Sequence, residues 1–550
     1  MKKLYALFIL AMASSAPALA QWNTNATPKC IFGLDYTDPE TGEAKQGGDY
    51  YACSPQVART ADKKTWIAWR TWGKKKVNGI NRSAVRTFLQ LLDRDGNPQF
   101  SEPIMVNDYS TTTYWSKYGL GVAADGSAIV TVADGRSEEA TLSDDQEHPD
   151  GFSPAIYKID QEGNFLWGLD GVEFRQFTNA AYTNCFVVGE DTYFTFFNTT
   201  YDDSGIAEDM SNIGTFIMRI NDDGTCAWEQ PKHWSNEFIQ PQILPSTDGE
   251  FLLFDKSPDG SLVHRMNREL EEVWGEPVIY DDNYYGGYEM NHYRIVSDGE
   301  GGACVAFQRF MGQFSHNIRV QHINADGSLG FGLTGLDAYN AEEYDHNYPS
   351  IAANAETKEI LVQFASDLGS AGEIRHQKFN YDGDYLYDER GMTVASKDPS
   401  TSNGYMFSVK GIGALPDGNW VAIYHDLAGY DRASIILRWY DKDGNRTMSK
   451  TIGRDLGISD MSYFVEPEAI YLFYRETRPE KAPGITIFRI GIDGTYNVTY
   501  PDTPTGISDV HTANQQAQQV FDLNGRQLSQ PQRGLNIIRK ADGSVVKQLR

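Results

Sequence analysis

Short apolar or alternating runs, broken by Gly, Asp and Asn, follow one another along almost the whole chain. Alternation sends successive side chains to opposite faces, so each run predicts a short β-strand. No stretch carries a helical period of core length. One phrase recurs: a β-rich run, an Asp/Asn-Gly turn, and a second strand often ending in Trp and Gly. Its copies stand at 92–97, 159–164, 220–225, 323–328, 379–384, 440–445 and 490–495, with a degenerate copy at 266–271. The spacing of roughly 50 to 65 residues is that of propeller blades rather than helical solenoids.

Each unit reads as four strands. In the fifth they are predicted at 293–297, 303–308, 318–324 and 329–331, and in the sixth at 349–353, 359–365, 374–380 and 385–387. Units start near Ser54, Ser116, Ala180, Gln240, Asn291, Tyr348, Phe407 and Ser459. A four-stranded twisted sheet cannot bury both faces alone, and packing such sheets around an axis buries them while leaving short edges. The fold class is therefore all-β: a β-propeller of about eight four-stranded blades, seven being the alternative because the last unit is the least regular. Residues 21–53 form an N-terminal extension that braces the ring, 54–500 the propeller, 501–510 a linker, and 511–550 a short C-terminal β domain.

Composition narrows the function. Tyr (31), Phe (27) and Gly (51) suit strands and turns. A net charge of -27 opposes nucleic acid and anionic membranes, which need a cationic face. The run Lys74, Lys75, Lys76 reads as one solvated loop. Lys2 and Lys3, the apolar run from Leu4 to Ala13, and Ala18-Leu19-Ala20 make a three-part signal peptide (1–20) with Gln21 as the mature N-terminus. The predicted location is secreted or outer cell surface, and no other segment reaches transmembrane length. Export permits disulfides, and Cys30 with Cys53 is the candidate pair. Cys185 and Cys226 pair or stay buried thiols, and Cys304 belongs to the core. No Cys or His spacing implies a metal, and no cofactor is implied. Asp93-Arg-Asp95-Gly-Asn97 and Asp441-Lys-Asp443-Gly-Asn445 begin like calcium loops, but the downstream carboxylate is missing, so they read as hairpin turns.

The repeat resembles a β-propeller repeat common in exported proteins of the Bacteroidetes, of the form DGxGGxxvaW followed by iyaQridxxGxxlWgxxGv. Ser297-Asp-Gly-Glu-Gly-Gly-Ala-Cys-Val-Ala-Phe307, Ile318-Arg-Val-Gln-His-Ile-Asn324 and Asn164-Phe-Leu-Trp-Gly168 carry the likeness, with Phe307 in place of Trp. The resemblance implies fold and compartment and brings no catalytic residues. The tail, Val520-Phe-Asp-Leu-Asn-Gly-Arg526 with Gly534-Leu-Asn-Ile-Ile538 and Val546-Lys-Gln-Leu-Arg550, resembles the C-terminal sorting domain of type IX secretion substrates. That likeness implies the secretion machinery as a partner.

Loops between blades and between strands two and three are long, and in a propeller they emerge on one face, where binding residues gather. Trp115, Tyr182, Trp234, Tyr285, Tyr288 and Tyr344 come from inter-blade segments and are the candidate ligand-binding residues for a glycan or protein. Catalytic residues are not assignable. Asp144, Asp145, Glu147, Asp202, Asp203, Asp281 and Asp282 are too many for any pair to stand out. His292-Tyr293 with Arg294, and His346 with Tyr348, are the weak lyase-type candidates. The function read is a non-catalytic binding protein, with a polysaccharide hydrolase or lyase as the alternative.

Overall fold

The computed structural model describes residues 22–496, apart from 33–34, 38–43, 47–50, 78–79, 108, 110, 112–116, 137–151, 199–212, 237–239, 248, 258, 283–292, 313–314, 340–344, 368–371, 398–406, 430–431 and 478–483. Beyond these it describes 498, 519–521, 527–528, 535–539 and 545–549. The segments 1–20 and 501–510, expected as signal peptide and linker, lie outside the described residues. The chain divides into Met1–Tyr496 and Asn497–Arg550.

The first unit is a propeller of eight four-stranded blades. Its inner strands are Tyr51–Arg59, Leu120–Val122, Ala180–Val188, Gln242–Pro245, Tyr293–Ser297, Asp345–Asn354, Phe407–Ala414 and the second half of Arg446–Val465. These fall within a few residues of the expected starts. Each inner strand contacts the next, and the eighth returns to the first, so the ring is closed. Blade pairing is antiparallel throughout, which puts the inter-blade loops and the loops between strands two and three at the same end. Lys74, Lys75 and Lys76 belong to the strand Thr65–Val77, paired with Ile80–Leu92, and not to a loop. The long strand simply continues the hairpin outward.

Two corrections concern the blade edges. The outer strands of blades 5 and 6 are Leu336–Asp337 and Met392–Lys397, later than expected. The segments at 329–331 and 385–387 make only single bridges to strand three, Ile323 with Leu329 and Phe379 with Tyr385. There the chain swings aside to wedge a bulky residue under the next blade. Trp167 of blade 2 lies where a Cβ on Gly224 of blade 3 would sit 2.6 Å away, and its Nε1 donates to the Asp222 carbonyl at 3.0 Å. Phe100, Trp274, Phe331, Tyr387 and Met448 crowd Gly163, Gly327, Gly383, Gly444 and Gly494 in the same way. Each glycine closes the recurrent turn with φ between +78° and +93°. The turn therefore needs Gly for its backbone and for the neighbour above it.

The N-terminal residues are more than a brace. Lys29–Phe32 pairs with Gly484–Gly491 and is the outer strand of blade 8. Trp22 is almost wholly buried, donates Nε1 to the Arg94 carbonyl at 2.9 Å, and would meet a Cβ on Gly96. It is the wedge between blades 8 and 1. Asn23 Oδ1 accepts from the Arg489 amide at 2.6 Å and pins the segment to blade 8. Residues 22–32 thus supply, from the far end of the sequence, the last part of the eighth repeat. Arg59 completes the closure by donating Nε (3.3 Å) and Nη2 (3.1 Å) to Glu466.

Cys30 and Cys53 are not joined. One lies on the outer strand of blade 8 and the other on the inner strand of blade 1, and Cys30 Sγ donates to the Phe32 carbonyl. Cys185 and Cys226 are likewise thiols, and Cys304 is buried core. The Asp-Gly segments are turns: Asp93 Oδ1 accepts from the amides of Asp95 (2.9 Å) and Asn97 (2.8 Å), and Asp441 repeats this with Asp443 and Asn445.

The second unit contains an antiparallel four-stranded sheet in the order Gln527–Leu528, Gln519–Phe521, Leu535–Arg539, Val545–Leu549. The tail motif residues Val520, Phe521, Ile537 and Ile538 lie in these strands.

Candidate functional site at the axial mouth

Inner strands line the axis of a propeller, and here they are irregular at one height. Register breaks fall between Cys53 and Gln56, Ala181 and Asn184, Asn347 and Ser350, Val409 and Gly411, and Ser459 and Met461. All lie near the strand starts, the end that bears the long loops. A bulge adds a residue, bends the strand and re-aims its side chain. Four of these bulges hold a non-glycine residue in left-handed backbone: Ser54 (φ +50°), Tyr182 (+53°), Tyr348 (+58°) and Asp460 (+36°). Such residues cost about 1–3 kcal/mol each and cluster at ligand sites.

The bulges knit blades together around the lumen. Asp460 Oδ2 accepts from the Ser54 amide at 3.1 Å, and Tyr118 donates to the Ser54 carbonyl at 2.7 Å. Tyr463 of blade 8 leans across blade 7, where Gly411 leaves room for its ring, and its hydroxyl lies 3.4 Å from Ser350 of blade 6. The same hydroxyl is held 3.3 Å from both the amide and the carbonyl of Ile412.

Three cations lie near the starts of inner strands. Arg294 is the second residue of the blade 5 inner strand, Lys410 sits in the blade 7 bulge, and Lys117 stands three residues before the first residue of the blade 2 strand. The Lys117 and Arg294 side chains are exposed and that of Lys410 is half-buried, yet desolvation by surrounding protein depresses all three. Lys117 falls to about 8, with the charge of Arg294 contributing. Arg294 similarly feels Tyr463 of blade 8. Asp460 is the carboxylate facing Lys410. Burial first, and then Lys410, hold the His425 imidazole well below its usual range, so it stays neutral there.

Of the aromatics expected to bind ligand, Trp115, Tyr285, Tyr288 and Tyr344 lie outside the described residues. Tyr182 is half-buried in its bulge on the inner strand. Trp234 is in the outer strand Lys232–Ser235 rather than a loop, packs on the blade 4 core, and donates Nε1 to Asp255 at 2.5 Å. It is an inter-blade residue, because the fourth strand begins before the loop does. The structure adds Tyr348, which is 59% exposed. The candidate carboxylates Asp281 and Asp282 are held by Arg309 at 2.7 and 2.9 Å. Asp144, Asp145, Glu147, Asp202, Asp203 and His292 lie outside the described residues. His346 is fully buried, stacked edge-on to Tyr339.

No family model and no curated protein sequence matches the chain. Among solved structures it is similar to a protein of unknown function from Dyadobacter fermentans (12% identity, 81% of this chain, 96% of that one, TM-score 0.35). It is also similar to the polysaccharide lyase Uly1 (9%, 86% and 98%, TM-score 0.40) and to Trypanosoma rangeli sialidase (10%, 88% and 60%, TM-score 0.31).

Proposed function

We propose that the chain is an exported, non-catalytic binding protein that holds a glycan at the loop-bearing mouth of its propeller. The observation that carries this reading is the pair Tyr182 and Tyr348, set by matching bulges in strained backbone on the channel-lining strands, with Tyr348 largely exposed. Tyrosine rings cover the C–H faces of sugars while their hydroxyls meet sugar hydroxyls. A protein surface is the other ligand such tyrosines suit. The leader delivers the chain across the inner membrane, and the sorting-like tail engages the secretion machinery.

A glycan array on the mature protein, with product analysis, tests the reading. Binding without turnover, weakened at least tenfold by Tyr348→Ala, supports it. Turnover, or affinity indifferent to Tyr348, refutes it. A lyase is the second reading, favoured by Arg294 lying within electrostatic reach of Tyr463. The Tyr463 hydroxyl is already engaged by Ile412 and Ser350, which leaves it poorly placed to take a substrate proton. An unsaturated sugar product would reverse that preference.

A further inference from the structure

We infer that His322 is a pH-sensitive clasp between blades 5 and 6. With both ring nitrogens protonated it bridges the Asp298 carboxylate of its own blade to the Tyr381 carbonyl of the next, and losing one proton loosens that seam. The clasp is independent of the glycan reading.

In several blades a cation near the end of the third strand ties its own blade to the turn of the next. Lys158 pairs with Asp125 of blade 2 at 2.9 Å and with Asp222 in the blade 3 turn. Arg219 pairs with Asp191 of blade 3 at 3.7 Å and with Glu269 in the blade 4 turn at 3.0 Å. Arg265 pairs with Glu250 of blade 4 and donates to the Ala325 carbonyl of blade 5. Lys378 pairs with Glu359 of blade 6 at 2.8 Å and donates to the Lys442 carbonyl of blade 7 at 3.4 Å. Lysine and arginine ordinarily hold their charge at neutral pH. In blade 5 the same position is His322. Its Nε2 lies 3.1 Å from Asp298 Oδ2, and its Nδ1 lies 3.2 Å from the Tyr381 carbonyl of blade 6. The amides of Glu300 and Gly302 donate to Asp298 Oδ1 at 2.8 and 2.9 Å, which favours the carboxylate form. Both neighbours of the ring are then acceptors. A neutral imidazole has one N–H to give, so the imidazolium alone serves both. His322 and Asp298 are 4% and 2% exposed, and a lone pair turned on a carbonyl is costly in such a place. The folded state thus binds the second proton more firmly than the unfolded chain does. Its contribution is full at low pH and is lost as pH rises. The other ionisable groups around the ring are the Cys304 thiol on the paired strand, the Tyr381 hydroxyl, the exposed Glu300–Lys358 pair at 2.7 Å and Asp382. Burial first pushes up both the Cys304 thiol and the Tyr381 hydroxyl. None of these groups ordinarily changes charge where histidine does. Phe331 wedged on Gly383, and the Tyr381 hydroxyl donating to the Asp298 carbonyl at 2.7 Å, still hold the seam when the proton leaves. The change is therefore a local loosening of blades 5 and 6.

The test compares the parent protein with His322→Gln, which has no charge to lose, and His322→Lys, which carries the fixed charge of the other blades. Measurements run from about pH 5 to about pH 9, across the ordinary range of histidine. Ring NMR of protein containing isotope-labelled histidine reads the protonation state, the His322 signal being the one absent in His322→Gln. An imidazolium at the acid end that gives way as pH rises is expected. A ring that keeps one state throughout overturns the clasp. Hydrogen exchange, corrected for the intrinsic rate at each pH, reads the seam in segments 298–302 and 379–384. Protection in the parent should fall by about tenfold from the acid to the alkaline end, as an unsatisfied buried acceptor requires. It should stay level in both variants and in the remote turn 92–97. A fall of the same size in the variants or in that turn places the sensitivity elsewhere and overturns the proposal, as does level protection in the parent.

Discussion

Leu270 and Tyr348 share a backbone conformation and differ in what their side chains gain. Leu270 takes φ +58° where the other turns have glycine, and it is buried in the blade 3–4 core. Left-handed backbone costs Leu about 1–2 kcal/mol. Burying its side chain returns about 1.5–3 kcal/mol. Burial wins, so Leu270→Gly should lower stability by about 1 kcal/mol in a denaturant titration; an increase would mean that strain dominates. Tyr348 carries the same strain with most of its surface in water. Tyr348→Gly should therefore leave stability within about 1 kcal/mol of the parent while weakening glycan binding. A large loss of stability would make Tyr348 a structural residue. The contrast also explains what could be read in advance. Aromatic residues in inter-blade segments were visible as candidates, and Tyr182 was among them. Left-handed backbone at Tyr348 leaves no trace in composition or period, because a bulge is set by two strands in register. Trp234 was misplaced by only a short stretch of chain, enough to turn a loop anchor into a packed strand residue.

At the scale of the element, the turn and its wedge form the repeating unit of cohesion. A bulky side chain from one blade sits on the turn glycine of the next, and the turn's own amides are satisfied by its first Asp or Asn, as at Asp93, Asp160 and Asp441, or by the Asp before the glycine, as at Asp223, Asp326 and Asp493. Gly96→Ala should destabilise the propeller by about 2 kcal/mol or more. It forces a methyl group against Trp22 and an L-residue into φ +84°. Trp22→Ala should cost about 3–5 kcal/mol, as for other fully buried Trp residues. Thermal melts of both variants check this, and near-parental Tm values would remove the wedge as a source of cohesion. The turns were legible because Asp-Gly and Asn-Gly have a fixed backbone role. The wedges were legible only as a tendency for strands to end in Trp and Gly. The N-terminal strand was not legible, since its partner lies more than four hundred residues away and four residues of irregular pattern announce no pairing.

Across the whole molecule, the contacts that close blade 8 on blade 1 include the segment 22–32, the Arg59–Glu466 pair and the Ser54–Asp460 hydrogen bond. Arg59 and Lys63 hold the Glu466 carboxyl below its ordinary value near 4.5. A depressed carboxylate stabilises the fold above its unfolded value, and that contribution disappears as pH falls through the folded value. Stability should therefore decline below about pH 4.5. Glu466→Gln should cost about 1–2 kcal/mol at pH 7 and show a shallower acid decline. An unchanged acid profile would place the sensitivity elsewhere. Blade number and ring followed from the repeat, whereas closure by the N-terminus needed the three-dimensional pairing. The most direct test of the candidate site is a crystal structure of the protein with an oligosaccharide that it binds on the glycan array. A sugar ring packed on Tyr348 at the loop-bearing mouth is the expected result. A sugar bound at the outer rim or the opposite face, with the mouth unoccupied at saturating ligand, would contradict it.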